Sequence, residues 1–177
     1  LKSAHYNAYG QVEVERSGNG VMVTASYSAA GGELYHLHTR TAAGHLLQDL
    51  RYEYDTVGNI ERIEDMSQPV QWFAQQRIEA VNLYAYDTLY QLTSASGREN
   101  ASQILGPDLP GLHIFGPKDD SRWRNFTQAF SYDTGGNLIL LRHEAGAGHS
   151  YKREMAVAER SNRSLQKDGS PIDFARG

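Results

Sequence analysis

Apolar and polar residues alternate along much of this chain. Val21, Val23, Ala25 and Tyr27 fall on one face of an extended segment, as do Leu50, Tyr52 and Tyr54, and Phe126, Phe130 and Tyr132. Period-two patterning predicts β-strands with one face turned from water. Each run ends on Tyr and passes into turn residues. Asp55, Asp87 and Asp133 stand where a short polar side chain can bond to the backbone and start a turn. Gly58 and Gly136 supply positive φ without steric cost. Ile60, Leu92 and Leu138 then restart a strand near the Tyr across the hairpin. Cross-strand aromatic–aliphatic pairs of this kind contribute about 0.2–1 kcal/mol each.

The phrase recurs five times. It reads Tyr6-Asn-Ala-Tyr-Gly-Gln-Val12, Tyr27-Ser-Ala-Ala-Gly-Gly-Glu-Leu34, Tyr54-Asp-Thr-Val-Gly-Asn-Ile60, Tyr86-Asp-Thr-Leu-Tyr-Gln-Leu92 and Tyr132-Asp-Thr-Gly-Gly-Asn-Leu138. A recurring unit of this size predicts an array of similar β-hairpins. The structural anchors are Tyr6, Tyr27, Tyr54, Tyr86 and Tyr132, the acids Asp55, Asp87 and Asp133, and Gly10, Gly58 and Gly136 at the turns. In the second copy Gly32 is an extra residue that a bulged turn would absorb. In the fourth, Tyr90 replaces the expected Gly, which predicts a turn of another geometry. Gaps of 21, 27, 32 and 46 residues separate successive starts. The shortest fits two strands and two turns, so the longer ones hold insertions.

Two stretches break the alternation. Pro69-Val-Gln-Trp-Phe-Ala-Gln-Gln-Arg-Ile78 places Pro ahead of good helix formers, which predicts a short helix near 69–78, although an irregular strand would read similarly. Residues 100–121 are rich in Pro and Gly and read as an inserted loop. The domain organisation is thus one repeat segment over 1–177, with repeats in 1–99 and 122–177 flanking that loop.

Composition agrees with strands and turns. The 177 residues include 11 Tyr and 17 Gly and no Cys. Mean hydropathy is -0.58, polar for a compact core. Buried Tyr needs a partner for its hydroxyl, which turn backbones and sheet edges can supply. The net charge of -4 comes from interspersed residues, with no basic stripe for nucleic acid or an anionic membrane. No apolar run approaches the roughly 18 residues of a membrane span. The absence of Cys suits folding in a reducing compartment and does not exclude later export. The chain opens on Leu1 within a repeat, as a piece of something longer would.

Candidate chemistry is sparse. His36 and His38 alternate on one strand face, where Asp49 or His45 could complete a metal site, yet no acidic residue lies at diagnostic spacing. His143 and His149 flank a Gly-Ala-Gly turn. Glu13 with Glu15, and Glu61, Glu64 and Asp65, are carboxylate groups that nothing places across a cleft; Asp119 and Asp120 beside Lys118 form a loop charge cluster. No nucleophile elbow, phosphate loop or dinucleotide fingerprint occurs. The expectation is no catalytic residue, no cofactor and no metal. Trp72 and Trp123 with exposed Tyr could instead stack on sugars, a carbohydrate- or cell-surface-binding alternative.

The repeated Tyr-Asp-x-x-Gly-Asn-Leu/Ile phrase resembles the YD repeats of Rhs-type proteins. The longer strings Asp49-Leu-Arg-Tyr-Glu-Tyr-Asp-Thr-Val-Gly-Asn59, Tyr84-Ala-Tyr-Asp-Thr-Leu-Tyr-Gln-Leu-Thr-Ser-Ala-Ser-Gly-Arg-Glu99 and Arg160-Ser-Asn-Arg-Ser164 narrow the resemblance to the C subunit of bacterial Tc insecticidal toxin complexes. The resemblance implies an all-β fold, an array of antiparallel hairpins in a curved, strip-like sheet. It also implies a non-enzymatic role: a shell, built with a B subunit, that holds the protein's own cytotoxic C-terminal effector until delivery. Such a protein is made in the bacterial cytoplasm and then secreted or released with its complex. The family's self-cleaving segment, rich in Asp-Pro motifs, has no counterpart, because the chain contains no Asp-Pro dipeptide. Exposed sheet edges further predict self-association of this segment.

Overall fold

The computed structural model describes residues 1–101, 122–161, 163–169 and 171–175. Regular structure among them is entirely extended. The strands are β1 (Ser3–Tyr6), β2 (Val12–Arg16), β3 (Met22–Tyr27), β4 (Leu34–Arg40), β5 (Leu46–Tyr54), β6 (Ile60–Asp65), β7 (Gln71–Phe73), β8 (Gln76–Ile78), β9 (Val81–Tyr86), β10 (Leu92–Asn100), β11 (Trp123–Tyr132), β12 (Leu138–Glu144), β13 (Tyr151–Val157) and β14 (Ser164–Gln166). Residues 102–121, most of the loop expected over 100–121, lie outside the described residues, together with Lys118, Asp119 and Asp120.

The strands fall into two compact units, one of Leu1–Val70 with Glu79–Leu83, the other of Gln71–Ile78 with Tyr84–Gly177. In the first unit β1 to β6 form an antiparallel meander in chain order, and Val81–Leu83 of β9 pair with β6. Register decides which side chains share a face. Ala25, Leu37, Leu50 and Asp65 stand in one cross-strand row, and Tyr52 pairs with Ile63 beside it. The opposite face carries the polar row Ser26, His36, Arg51 and Glu64. One apolar and one polar face is what period-two alternation produces in an antiparallel sheet. Every described residue that is fully buried belongs to the second unit.

The second unit is built on the long antiparallel pair of β10 and β11, which runs from Ser94–Ala129 to Asn100–Trp123, followed by β12, β13 and β14. Along β11 the pattern read from the sequence holds: Phe126, Gln128, Phe130 and Tyr132 are sheltered, while Asn125, Thr127, Ala129 and Ser131 are exposed. The hairpin of β7 and β8 packs on β11, where Asn125 Nδ2 donates to the Arg77 carbonyl at 3.0 Å and Ile78 is fully buried.

That hairpin corrects the expectation of a short helix near 69–78. Gln71 pairs with Ile78 and Phe73 with Gln76 around the two-residue turn Ala74–Gln75. Both turn residues have positive φ, 49° and 65°. Two consecutive left-handed residues match the twist of a tight hairpin and end any helix. Burial of Ile78 outweighs the local helix preference of Ala74, Gln75 and Gln76.

The five Tyr-led turns share one construction, and three of their glycines show its demand. In the first, Asn7 N donates to Gln11 O and Gly10 N to Asn7 O, with Gly10 at φ +80°. Asp55 and Asp133 repeat these bonds with Asn59 and Asn137, with φ of +94° at Gly58 and +80° at Gly136. This is a three-residue hairpin loop with a left-handed residue in its last position. A register shift at each of Tyr6, Tyr27, Tyr54 and Tyr132 is the accompanying bulge. The second copy absorbs its extra residue as expected: Ser28 N reaches one residue further, to Glu33 O, and Gly32 takes φ +77°.

The fourth copy corrects a second expectation. Tyr90 N donates to Asp87 O and Asp87 N to Gln91 O, the same bonds as in the glycine copies, and Tyr90 itself adopts φ +62°. The turn keeps its geometry, and the residue carries the strain. The insertions expected from the gaps are also explained in part. The 32-residue gap contains β7 and β8, and the 46-residue gap contains 102–121.

These conformations make opposite predictions at equivalent positions. A Cβ added at Gly58 would meet nothing within 4 Å, so Gly58→Ala should lose about 1 kcal/mol through φ alone. Tyr90→Gly should gain up to about 1 kcal/mol by relieving the same strain. Urea unfolding of both variants checks the pair; equal shifts of the same sign would refute the account.

Candidate functional site

The anchors converge on one repeated junction. Asp55 Oδ1 accepts from Val57 N at 2.9 Å and Asn59 N at 2.8 Å, and its Oδ2 accepts from Asn59 Nδ2 at 2.8 Å. Asp133 does the same with Gly135 N, Asn137 N and Asn137 Nδ2. Asp87 accepts from Leu89 N and Gln91 N, and Asn7 from Tyr9 N and Gln11 N through its amide oxygen. The acid satisfies amides that the turn would otherwise leave to solvent. Side-chain donation from Asn59 and Asn137, with the backbone amides, holds the Asp55 and Asp133 carboxyls below their ordinary value.

The tyrosine supplies the link between repeats. Tyr27 Oη donates to Val12 O at 3.0 Å, Tyr54 Oη to Leu34 O at 2.7 Å and Tyr132 Oη to Leu92 O at 2.8 Å. Val12, Leu34 and Leu92 are the residues that close the preceding phrase. Each of these hydroxyls therefore bonds to the repeat before its own, across 15, 20 and 40 residues of chain. The rings are half-buried. Burial raises the phenol pKa of Tyr54, with smaller contributions from Tyr52 and Glu33, and that of Tyr132, with a smaller one from Asp87. Tyr6 has the same turn but is 60% exposed. Gln11 adds a second inter-repeat bond, donating to Gly32 O at 2.8 Å.

Sequence reading missed turns that lack Tyr. Ser17 N donates to Val21 O and Gly20 N to Ser17 O; Thr41 N donates to His45 O and Gly44 N to Thr41 O. These join β2 to β3 and β4 to β5, at the opposite strand ends from the Tyr turns. A Ser or Thr followed three residues later by Gly was the available signal. A sixth copy lies at Val157–Ser164, where Ala158 N donates to Arg163 O and Val157 pairs with Ser164 as Tyr27 pairs with Leu34.

The chemical candidates are absorbed by the sheet. His36 Nε2 lies 2.7 Å from Asp49 Oδ1, and Arg40 Nε donates to His38 Nε2 at 2.9 Å. Among the described residues no three metal-ligating side chains gather. Glu64 pairs with Arg62 at 2.7 Å, and Asp65 Oδ1 accepts from Ser67 Oγ at 2.6 Å within a turn. Trp123 carries the Arg98 guanidinium 4.6 Å over its ring, whereas Trp72 on β7 is 71% exposed.

One cluster had no signal in the sequence. His143, 2% exposed, stacks between Phe126 and Tyr151. Its Nδ1 lies 3.2 Å from Gln128 Nε2, and its Nε2 lies 3.0 Å from Glu99 Oε2 without a hydrogen bond between them. Arg124 donates to the carbonyls of Ala101 and Ala145, both at 3.1 Å, and its Nε lies 3.9 Å from Glu99 Oε1. The four polar residues come from β10, β11 and β12, brought together only by register. The group holds the end of β10 to the turn after β12.

No protein-family model matches the chain. It is 41% identical over 98% of its length to toxin subunit YenC2 of Yersinia entomophaga and 40% identical over 93% to toxin subunit YenC1 of the same organism. The crystal structure of TcdB2–TccC3–Cdc42 superposes on 93% of the chain with a TM-score of 0.76 at 36% identity. The chain is a Rhs-repeat segment of the Tc toxin C-subunit family. It spans 19% of YenC2 and 17% of YenC1, and 8% of the TcdB2–TccC3–Cdc42 chain it matches. The Photorhabdus luminescens Tc holotoxin pore matches equally well, with a TM-score of 0.75. The Tc-type phrases noted in the sequence are the turns and inter-repeat bonds of this fold.

Two measurements test the junction. Tyr54→Phe keeps the ring and removes the bond to Leu34 O, so it should cost about 1 kcal/mol; an unchanged unfolding free energy would show that the hydroxyl is dispensable. The depressed carboxyls of Asp55 and Asp133 contribute stability that is present above the ordinary aspartate value of 3.8 and lost as pH falls through their lower folded values. The D55N/D133N double variant should therefore lose less stability than the native chain on acidification below pH 3.8. Parallel acid limbs in the two titrations would remove this linkage.

Proposed function

We propose that this segment is wall material: a non-catalytic part of a Tc-type C-subunit shell that helps enclose the protein's own C-terminal cytotoxic effector before delivery. The observation that carries the reading is the match, over nearly the whole chain, to toxin subunit YenC2. The repeat geometry supports it. Each Tyr-led turn is capped by its own Asp, Asn or Ser, and three of the hairpins are tied to the one before by a Tyr hydroxyl, which suits a sheet that must extend rather than close around a site. The roles of Tyr6, Tyr27, Tyr54, Tyr86 and Tyr132, of Asp55, Asp87 and Asp133, and of Gly58 and Gly136 are then structural.

The neighbouring structures contain TcdB2 with TccC3. By that likeness the partner of this segment is a B subunit, and the assembled complex is released from the bacterium that makes it. A second reading, a carbohydrate-binding module, draws on the exposed Trp72 ring.

The test replaces the corresponding stretch of a Tc C subunit with this chain and co-expresses it with its B subunit. The expected result is a stable B–C complex whose C-terminal effector resists added protease. Failure of the complex to form, or an effector cleaved as fast as in the free subunit, would overturn the shell reading. Binding on a glycan array that Trp72→Ala abolishes would favour the second.

A further inference from the structure

A long side chain and an inserted residue meet at one place in the first unit. The first phrase carries Gln11 where the third and fifth carry Asn59 and Asn137, and the second phrase carries the extra Gly32. Gln11 Nε2 donates across to Gly32 O at 2.8 Å, while its Oε1 accepts from Asn7 Nδ2 at 2.8 Å. Held at both ends, this side chain braces the first turn against the second. Beside the brace the two turns form a cavity of about 280 Å³, walled by Tyr9 from the first and by residues 28–32 from the second. Both walls are turns of the described chain, so no sheet edge bounds it.

Hydrogen bonding within the turns leaves this cavity rich in acceptors. Ala30 N and Gly31 N donate to Ser28 Oγ, both at 3.3 Å, and Gly32 N donates to Ser28 O at 2.9 Å. Those three amides are spent inside the turn. The carbonyls of Ala29, Ala30 and Gly31 accept from nothing among the described residues. Glu33 packs on the same wall, its carboxylate standing where a side chain on Gly31 would begin. No described residue bonds to that carboxylate or pairs with it. The Tyr9 ring and hydroxyl are likewise without a partner among the described residues. Of the described residues that line the cavity none carries a positive charge.

We propose that this cavity binds an alkylammonium group, the chemistry of a lysine side chain or of a free primary amine. An ammonium head has three donors and no acceptor, the complement of a wall of open carbonyls beside one carboxylate. The face of Tyr9 attracts the same charge through the ring quadrupole. Ala29 and Ala30 are small and leave room for the alkyl stem. An anion would meet the Glu33 charge and no cation to offset it, so the site discriminates by charge. The assignment rests on the cavity and its bonds, independently of the shell reading, and its outcome leaves the grafting experiment untouched.

Titrating the purified chain with n-butylammonium chloride should shift the backbone amide resonances of Gly31 and Gly32, with millimolar affinity that weakens as salt is added. n-Butanol, the same length without the charge, should leave them in place. Tyr9→Ala should weaken binding about threefold, and Tyr9→Phe, which keeps the ring, should bind as the native chain does. Glu33→Gln should also cost about threefold and remove most of the salt dependence. A parallel titration with Nα-acetyl-lysine N-methylamide separates the sources: tighter binding than butylammonium assigns the site to a lysine of a protein, equal binding to a free amine. No shift at amine concentrations up to tens of millimolar, equal shifts from butanol, or an affinity unchanged by both Tyr9→Ala and Glu33→Gln would each overturn the proposal.

Discussion

A phenol hydroxyl donating to a backbone carbonyl of the previous repeat is the side-chain bond that ties one hairpin to the next. A two-stranded hairpin is marginal by itself in water, and a single-layer sheet has little interior to bury. In the first unit no described residue is fully buried. Cohesion there has to come from interstrand ladders, from half-buried aromatic rings and from bonds that cross repeat boundaries. Tyr meets this need better than Phe or Leu, because its ring covers the apolar face while its hydroxyl finds a fixed acceptor at the end of a neighbouring strand.

Local and inter-repeat bonds divide the labour. The Asp, Asn or Ser at the start of each Tyr-led turn acts within five residues and accompanies the bulge at the Tyr. Asn59 and Asn137 close on their own acids, whereas Gln11, one methylene longer, reaches the next turn at Gly32. Gln11 also accepts from Asn7 Nδ2 at 2.8 Å, so the one-carbon difference adds a bond between repeats to the bond inside its own. Turns without Tyr, at Ser17 and Thr41, need only the local half of the device.

The second unit meets the same problem differently. It folds the β7–β8 hairpin onto β11 and buries Ile78, and it builds a polar cluster around His143. Arg124 donates to two backbone carbonyls and Gln128 contacts His143, while Arg124 Nε and His143 Nε2 face Glu99 without a hydrogen bond, so the cluster carries part of its polar desolvation cost inside the fold.

The strands, the Tyr turns and the positive φ at Gly58 and Gly136 were legible in the sequence, because each depends on residues no more than about seven apart and on alternation that any extended segment must obey. The repeated phrase and the longer strings at Asp49–Asn59, Tyr84–Glu99 and Arg160–Ser164 carried the toxin-subunit resemblance for the same reason. Three things were decided only in three dimensions. Tyr90 was forced into a left-handed conformation because the hydrogen bonds of Asp87 and the register of its strands outweigh one residue's preference. Residues 69–78 became a hairpin because burying Ile78 on β11 outweighs local helix propensity. The acceptors of the tyrosine hydroxyls lie 15 to 40 residues away, and strand order, which alternation leaves open, selects them.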